Sequence, residues 1–154
     1  MSAEARLKEL GIELPSAPAP AANYVPYVKS GRLVFIAGQV PLGPDGKLAY
    51  VGKVGRELSR EEGYQAARLC ALNGLAQVRA ALGSLDQVAR VVRLGGFVNC
   101  TDDFKNQPEV INGASDLLVE IFGDAGRHAR AAVGTNALPR GVATEVEMVV
   151  EAKA

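Results

Sequence analysis

Two segments of the chain repeat apolar residues at helical spacing. The first opens with Ser59-Arg60-Glu61-Glu62, which fits the S-x-x-E capping box, and continues until Gly83 offers a C-cap. The second opens near Pro108, a residue suited to the first turn of a helix, and ends at Gly123. The pattern predicts two long helices, each with one buried face.

Other segments are rich in β-branched residues and broken by turn residues. Ser30-Gly31 predicts a hairpin between Val28 and the run 33–36, and Pro44-Asp45-Gly46 predicts a second turn, giving two or three antiparallel strands. VARVVRLGGFVNC predicts a central strand in which Gly95-Gly96 marks a bulge or a close backbone approach.

The chain is predicted to end in two strands, 127–137 and 144–151, joined around residues 138–141. The element order is then hairpin, helix, strand, helix, strand, strand. Two helices on one face of a sheet make a two-layer α+β domain. One domain has no residues left to cover the other face, so we expect a closed homo-oligomer.

The N-terminus is set apart by its composition. SAEARLKELG predicts a short helix packed on the outside, ended by Gly11, and a Pro/Ala-rich lead-in follows it. We therefore divide the chain into an N-terminal helix and lead-in, residues 1–23, and a single domain, residues 24–154.

Composition narrows the possible partners. With 154 residues, 48% of them hydrophobic, the chain can bury one core, and its 17 basic and 17 acidic residues balance. A balanced charge gives no steering toward nucleic acid or anionic lipid. No targeting signal or membrane span is visible, and Cys70 and Cys100 suit buried thiols in a reducing compartment, so a cytoplasmic location is expected.

The motifs for dinucleotide, P-loop, metalloprotease and serine-hydrolase chemistry are absent from the sequence, and two Cys with one His cannot make a zinc site. His128 could act as a general base, but a plain surface or structural histidine is favoured because Arg127 and Arg130 flank it and no carboxylate is adjacent in sequence. Arg130 offers a fork that binds carboxylates, and Glu145 could orient water. The spacing of Arg130 and Glu145 in the sequence is equally consistent with ordinary solvated residues of a strand.

The chain resembles the Rid family, the YjgF-type reactive-intermediate deaminases, over nearly everything from Tyr24 onward. The resemblance is carried jointly by YVPYVKSGRLVFIAGQVP, the DGK turn, ARLCALNGLAQVRAALGSLDQVARVV, VINGASDLL and HARAAVGTNALPRGVATEVEMVVEA. The start RLKELGIELP and its Pro/Ala stretch resemble the longer-chain branch of the family.

The resemblance implies a chorismate-mutase-like α+β subunit with a mixed sheet, assembled as a homotrimer with three ligand clefts between subunits. It implies hydrolysis of small 2-imino or enamine acids to 2-keto acids and ammonium, with no metal and no cofactor. The partner is then a small carboxylate substrate. No membrane partner is expected, and nucleic acid is disfavoured by the balanced charge.

Carried over by motif, Arg130 would clamp the substrate carboxylate and Glu145 would direct the water. The resemblance places the substrate-binding positions at four further residues: Tyr27, Gly38, Asn112 and Ala132. The chain departs from the family pattern at Ala37, where deaminases usually have Ser, and at Ala132, where they often have Cys. The small residues Ala131, Ala132 and Gly134 are expected to keep the approach to Arg130 narrow.

Two other functions stay open. The same cleft could bind small carboxylates without catalysis, as a sensor or regulatory trimer. An endoribonuclease is the third alternative, which the balanced charge and the small number of aromatic residues disfavour.

Overall fold

The computed structural model describes residues 1–20 and 22–154 and contains three α-helices and one five-stranded sheet. The helices are α1 (Ala3–Glu9), α2 (Arg60–Leu82) and α3 (Gln107–Phe122). The strands are β1 (Tyr27–Ser30), β2 (Leu33–Gln39), β3 (Val88–Asn99), β4 (Ala129–Thr135) and β5 (Thr144–Ala152). The predicted element order is confirmed.

The ends of α2 are those that the sequence predicts. The Ser59 hydroxyl accepts from the Glu62 amide, and the Glu62 carboxylate accepts from the Ser59 amide. Gly83 takes a left-handed conformation with φ of 84°, which a residue with a side chain rarely adopts. Helix α3 carries Pro108 in its first turn and ends before Gly123.

The strands lie in the order β1-β2-β5-β3-β4. All neighbours are antiparallel except β3 and β4, which run parallel and are joined through α3. This arrangement confirms the mixed sheet. The last two strands of the chain are therefore not hydrogen-bonded to each other, because β3 lies between them. After β2, the predicted third strand is reduced to one bridge between Leu42 and Leu48 across the turn at 44–46.

The two faces of the sheet differ sharply. One face packs on α2 and α3 through fully buried residues such as Leu94, Val98 and Val146. On the opposite face Val28, Phe35 and Val133 are 53%, 44% and 46% exposed. No helix within residues 1–20 and 22–154 covers that face, as the alternation of the strands predicts.

Gly96 lets β3 come close to α3, and Gly113 lets α3 come close to α2. A Cβ at Gly96 would lie 2.6 Å from an Ile111 methyl, and one at Gly113 would lie 2.0 Å from the Tyr64 carbonyl oxygen. The close backbone approach predicted at Gly95-Gly96 is confirmed, whereas the register shifts of β3 occur earlier, between residues 88 and 93.

The N-terminal helix α1 is tied to the main layer. Leu7 is buried in the shared core, and the Glu4 carboxylate pairs with Arg79 of α2 at 2.6 Å. Gly11, just past the helix, has a positive φ of 68°. The predicted lead-in includes Ala21, which lies outside the described residues; residues 12–20 contain neither helix nor strand.

Candidate functional site

Arg130 lies on the edge strand β4 and its side chain reaches back onto α3. Its guanidinium donates to the Ser115 hydroxyl at 3.0 Å and to the Pro108 carbonyl at 3.2 Å. Both acceptors are neutral, and Arg130 forms no salt bridge with a carboxylate in the described part of the chain. The arginine is thus held in place while its charge stays available to an anionic ligand.

His128, two residues before Arg130, fixes the same hydroxyl. Its Nδ1 is 2.7 Å from the Gly126 carbonyl, which can only accept, so Nδ1 donates there. The other ring nitrogen, Nε2, then accepts from Ser115 at 2.9 Å, which leaves the Ser115 oxygen to accept from Arg130. Burial, with Arg130 as a further cause, lowers the pKa of His128 below its usual range.

The neutral imidazole is therefore the form that completes this chain of hydrogen bonds. The position fits the structural histidine expected from the sequence. The sequence does not identify Ser115 as a site residue, because the helical periodicity of α3 does not show which strand a given residue of the helix contacts.

Asn112 and Ala132 lie on the same side of the sheet as Arg130. Asn112 is half-buried on α3, three residues before Ser115 and hence on the same stripe of the helix. Ala132 follows Arg130 by two residues on β4 and packs against the core. Ala131 pairs with Gly95 and points to the opposite face, so the expectation that it narrows the approach to Arg130 is wrong, because adjacent strand residues alternate.

Glu145 lies on the other face of the sheet, near the start of β5. It is next to Gly38 of β2, where an added Cβ would lie 3.0 Å from the Glu145 carboxyl carbon. Burial, and then the like charge of Glu147, raises the pKa of the Glu145 carboxyl above its usual range. A half-buried carboxylate with a raised pKa is a stronger base than an exposed one.

Tyr27 begins β1, at the sheet edge opposite β4. Its ring packs against the rim of the core and borders a cavity that Ala37 also lines. Four strand spacings separate β1 from β4, which is roughly 19 Å. Tyr27 is thus far from Arg130 within one chain.

Five of the six predicted site residues fall into two half-sites. Leu94 pairs with Arg130 and Phe97 pairs with Glu145, so the two functional side chains are three residues apart along β3 and on opposite faces. Their separation along β3 alone is roughly 10 Å. The β4 half-site holds Arg130, Asn112 and Ala132, and the β5 half-site holds Glu145 and Gly38. Tyr27 pairs with Ile36 on β2 and is not grouped with either set.

The Glu145 carboxyl also opens on a cavity of about 270 Å³. Residues 18–20 of the lead-in, the segment after β2 and Pro139-Arg140 line it. The sequence predicts an extended lead-in here, and nothing in its Pro/Ala composition indicates the surface on which it lies.

The family profile described as "YjgF/chorismate mutase-like, putative endoribonuclease" matches residues 4–151. The chain belongs to the YjgF family. The resemblance drawn from the sequence motifs and the α+β fold class are both confirmed.

Other proteins match along nearly the whole chain. Protein TCP17 of Trypanosoma cruzi is 51% identical over 96% of this chain and 92% of its own. The crystal structure of Atu1372 from Agrobacterium tumefaciens, a protein of unknown function, is 48% identical, covers 98% of this chain and 92% of its own, and has a TM-score of 0.91. The Escherichia coli TdcF structure with bound serine shares the fold at 23% identity and a TM-score of 0.64, covering 92% and 97%.

The cysteines of this YjgF-family chain are buried, and its described residues offer neither a metal-binding cluster nor a membrane-spanning helix. Cys70 and Cys100 are free and buried, and burial raises the pKa of Cys70 to about 12. Residues 1–20 and 22–154 contain no cluster of three or more His, Cys, Asp or Glu side chains that could hold a metal ion. Within the same ranges no helix is long and apolar enough to cross a membrane.

Proposed function

We propose that this protein hydrolyses reactive 2-imino acids to 2-keto acids and ammonium in clefts formed between subunits of a homotrimer. The observation that carries the proposal is the division of the site. Arg130 and Glu145 lie on opposite faces of one subunit, so a ligand can touch both only where the β4 half-site of one chain meets the β5 half-site of the next.

The uncovered sheet face supports the same assembly. Glu145 shares this face with the exposed side chains of Phe35 and Val133, and a patch of this kind is typical of a subunit interface. When a second chain covers this face, water is removed from around Glu145, and the β4 edge of the neighbouring subunit comes near the Glu145 carboxyl. The trimer thus completes the cleft and buries the apolar face together.

In the proposed reaction Arg130 binds the substrate carboxylate through two parallel hydrogen bonds. The Glu145 carboxylate accepts a proton from a water as the water oxygen bonds to the imine carbon, which gives a carbinolamine. That proton then moves to the nitrogen, the carbon–nitrogen bond breaks as the hydroxyl oxygen forms the carbonyl, and the departing ammonia takes the hydroxyl proton to become ammonium. An iminium ion and one water thus yield one 2-keto acid and one ammonium ion.

Two observations, one on a structural neighbour and one on this chain, support a small α-substituted acid as the substrate. The serine bound to TdcF carries a carboxylate and a nitrogen on one carbon, as a 2-imino acid does. The backbone of Gly38 approaches the Glu145 carboxyl closely because no side chain intervenes. Ala37 and Ala132 remove a hydroxyl and a thiol that related deaminases often carry, and both changes leave Arg130 and Glu145 in place.

The test uses an amino-acid oxidase to generate imines and follows their loss with and without the protein. Arg130→Ala leaves the substrate carboxylate unpaired, and we expect it to cost roughly 2 to 5 kcal/mol of transition-state binding, a fall in kcat/KM of ~30-fold or more. Arg127→Ala is the matched control, because Arg127 is an exposed arginine three residues away that pairs with Asp124. Equal rates for wild type and Arg130→Ala would refute the role of Arg130.

A trimer that binds small carboxylates without catalysis is the second candidate, favoured by the missing polar groups at Ala37 and Ala132. It shares Arg130 as the anion site and predicts binding of 2-keto acids with no acceleration of imine decay. The same assay, run beside calorimetric titration with pyruvate, separates the two.

A further inference from the structure

The cavity beside Glu145 has walls that are held by two buried amides of α2. Asn73 and Gln77 are 1% and 2% exposed and lie one turn apart. The Asn73 amide donates to the carbonyls of Val40 and Leu42, both at 3.1 Å, and the Gln77 amide donates to the Pro18 carbonyl at 2.5 Å. Because a buried amide is costly unless it is bonded, these contacts fix both the segment after β2 and the lead-in on α2.

The lining of the cavity is mostly apolar. Its apolar residues include Pro18, Ala19, Pro20, Leu42 and Leu48. Glu145, which lies beside Gly38, is one of a few polar residues in the lining, together with Gln39, Gln77 and Arg140. A ligand that fits this lining has a reactive polar centre and an apolar tail.

The volume of the cavity suits a tail of several carbons. An apolar cavity of about 150 Å³ is large enough to bind benzene. The cavity beside Glu145 measures about 270 Å³, which is enough for a side chain as large as that of leucine or phenylalanine. An alanine-derived methyl group would leave most of it unfilled.

We propose that this cavity is a side-chain subsite that selects 2-imino acids with a large apolar side chain, and that the lead-in at Ala19 limits the length of that side chain. The proposal rests on the proposed function, since it takes Glu145 as the group beside the imine carbon. The lead-in thereby acts as a specificity-determining wall of the site.

The first measurement compares imines generated from alanine, leucine, phenylalanine and aspartate. Burial of the additional apolar carbons favours binding, so the leucine-derived and phenylalanine-derived imines are expected to exceed the alanine-derived imine in kcat/KM by about tenfold or more. Equal values for alanine and leucine would overturn the subsite. A preference for aspartate would overturn its apolar character and point to Arg140 at the rim as the selecting group.

The second measurement fills the cavity. Ala19→Phe is expected to lower the leucine-to-alanine ratio of kcat/KM by about fivefold or more, and Leu48→Phe should act in the same direction from the opposite wall. Ala17→Phe is the matched control, because Ala17 is exposed on the same segment and does not line the cavity. A ratio changed equally by Ala17→Phe, or unchanged by both cavity variants, contradicts the proposal.

Ligand binding separates this inference from the proposed function. Calorimetry compares pyruvate with the 2-keto acid derived from leucine on wild type, Ala17→Phe and Ala19→Phe. If no imine is hydrolysed but the larger keto acid binds more tightly and Ala19→Phe removes that preference, the reaction is wrong and the subsite stands. If imines are hydrolysed and neither ratio responds to Ala19→Phe, the reaction stands and the subsite is wrong.

Discussion

The Glu145 carboxyl sits among groups that all favour its protonated form. It is half-buried, and Glu147 lies two residues further along the same face of β5. Both effects raise the pKa of Glu145 above its usual range. The base in the proposed reaction is the carboxylate form, so kcat/KM should fall as the pH drops through this raised pKa.

Glu147→Gln tests that electrostatic coupling. Removing the like charge lowers the pKa of Glu145, so the acid limb of the kcat/KM profile should move to lower pH, and part of the elevation should remain because burial is the larger cause. Glu151→Gln serves as the control, since Glu151 is on the same strand and face but six residues from Glu145 and paired with Arg32. An acid limb of the kcat/KM profile that stays at the same pH, or moves to higher pH, would show that Glu147 does not raise the pKa of Glu145.

Other residue-scale features show the limit of sequence reasoning. Motif resemblance places Arg130 and Glu145 on their strands, and the alternation of β5 identifies the exposed face of Glu145. The hydrogen bonds from Ser115 to His128 and Arg130 join α3 to β4, and the Gln77 bond reaches the lead-in 59 residues earlier. Contacts of this kind depend on the packing of distant segments, so no local pattern predicts them.

Helix α2 is the element that the sequence predicts best, because its signals are local. The capping box and the glycine C-cap each involve residues within one turn of the helix. The hairpin of β1 and β2 is local in the same way. The parallel pairing of β4 with β3 follows from how α3 crosses the sheet, and a strand pattern alone does not contain it.

Ser59 tests the contribution of the cap to α2. Ser59→Ala leaves the Glu62 amide without its side-chain acceptor and should lower the free energy of unfolding by about 1 kcal/mol. Ser59→Asp supplies another acceptor and should keep most of that stability. Urea unfolding of wild type, Ser59→Ala and Ser59→Asp, all at the same protein concentration, provides the comparison. Equal losses of unfolding free energy in both variants would assign the effect to something other than the cap.

The molecule as a whole leaves one sheet face to be covered. Phe35 is 44% exposed there, and its flanking residues Val34 and Ile36 face the core. Phe35→Glu places a charge on this face without altering the core, so the proposed trimer should dissociate toward smaller species in sedimentation velocity, with loss of activity per chain.

Ala80→Glu adds the same charge to an exposed position of α2 and should leave both the sedimentation and the activity unchanged. An unchanged trimer in the Phe35 variant would place the interface elsewhere. A dissociated protein that keeps full activity would contradict the cleft between subunits.

The separation of the two half-sites has a genetic consequence. In the proposed trimer each cleft combines the Arg130 of one chain with the Glu145 of a neighbouring chain. A substitution of Arg130 therefore inactivates the cleft that contains the neighbour's Glu145, and leaves the cleft that contains the chain's own Glu145 intact. A chain lacking Arg130 and a chain lacking Glu145 would each fail alone, yet together they would form some clefts with neither defect. Two inactive alleles of the gene would therefore partly complement each other when they are expressed in the same cell.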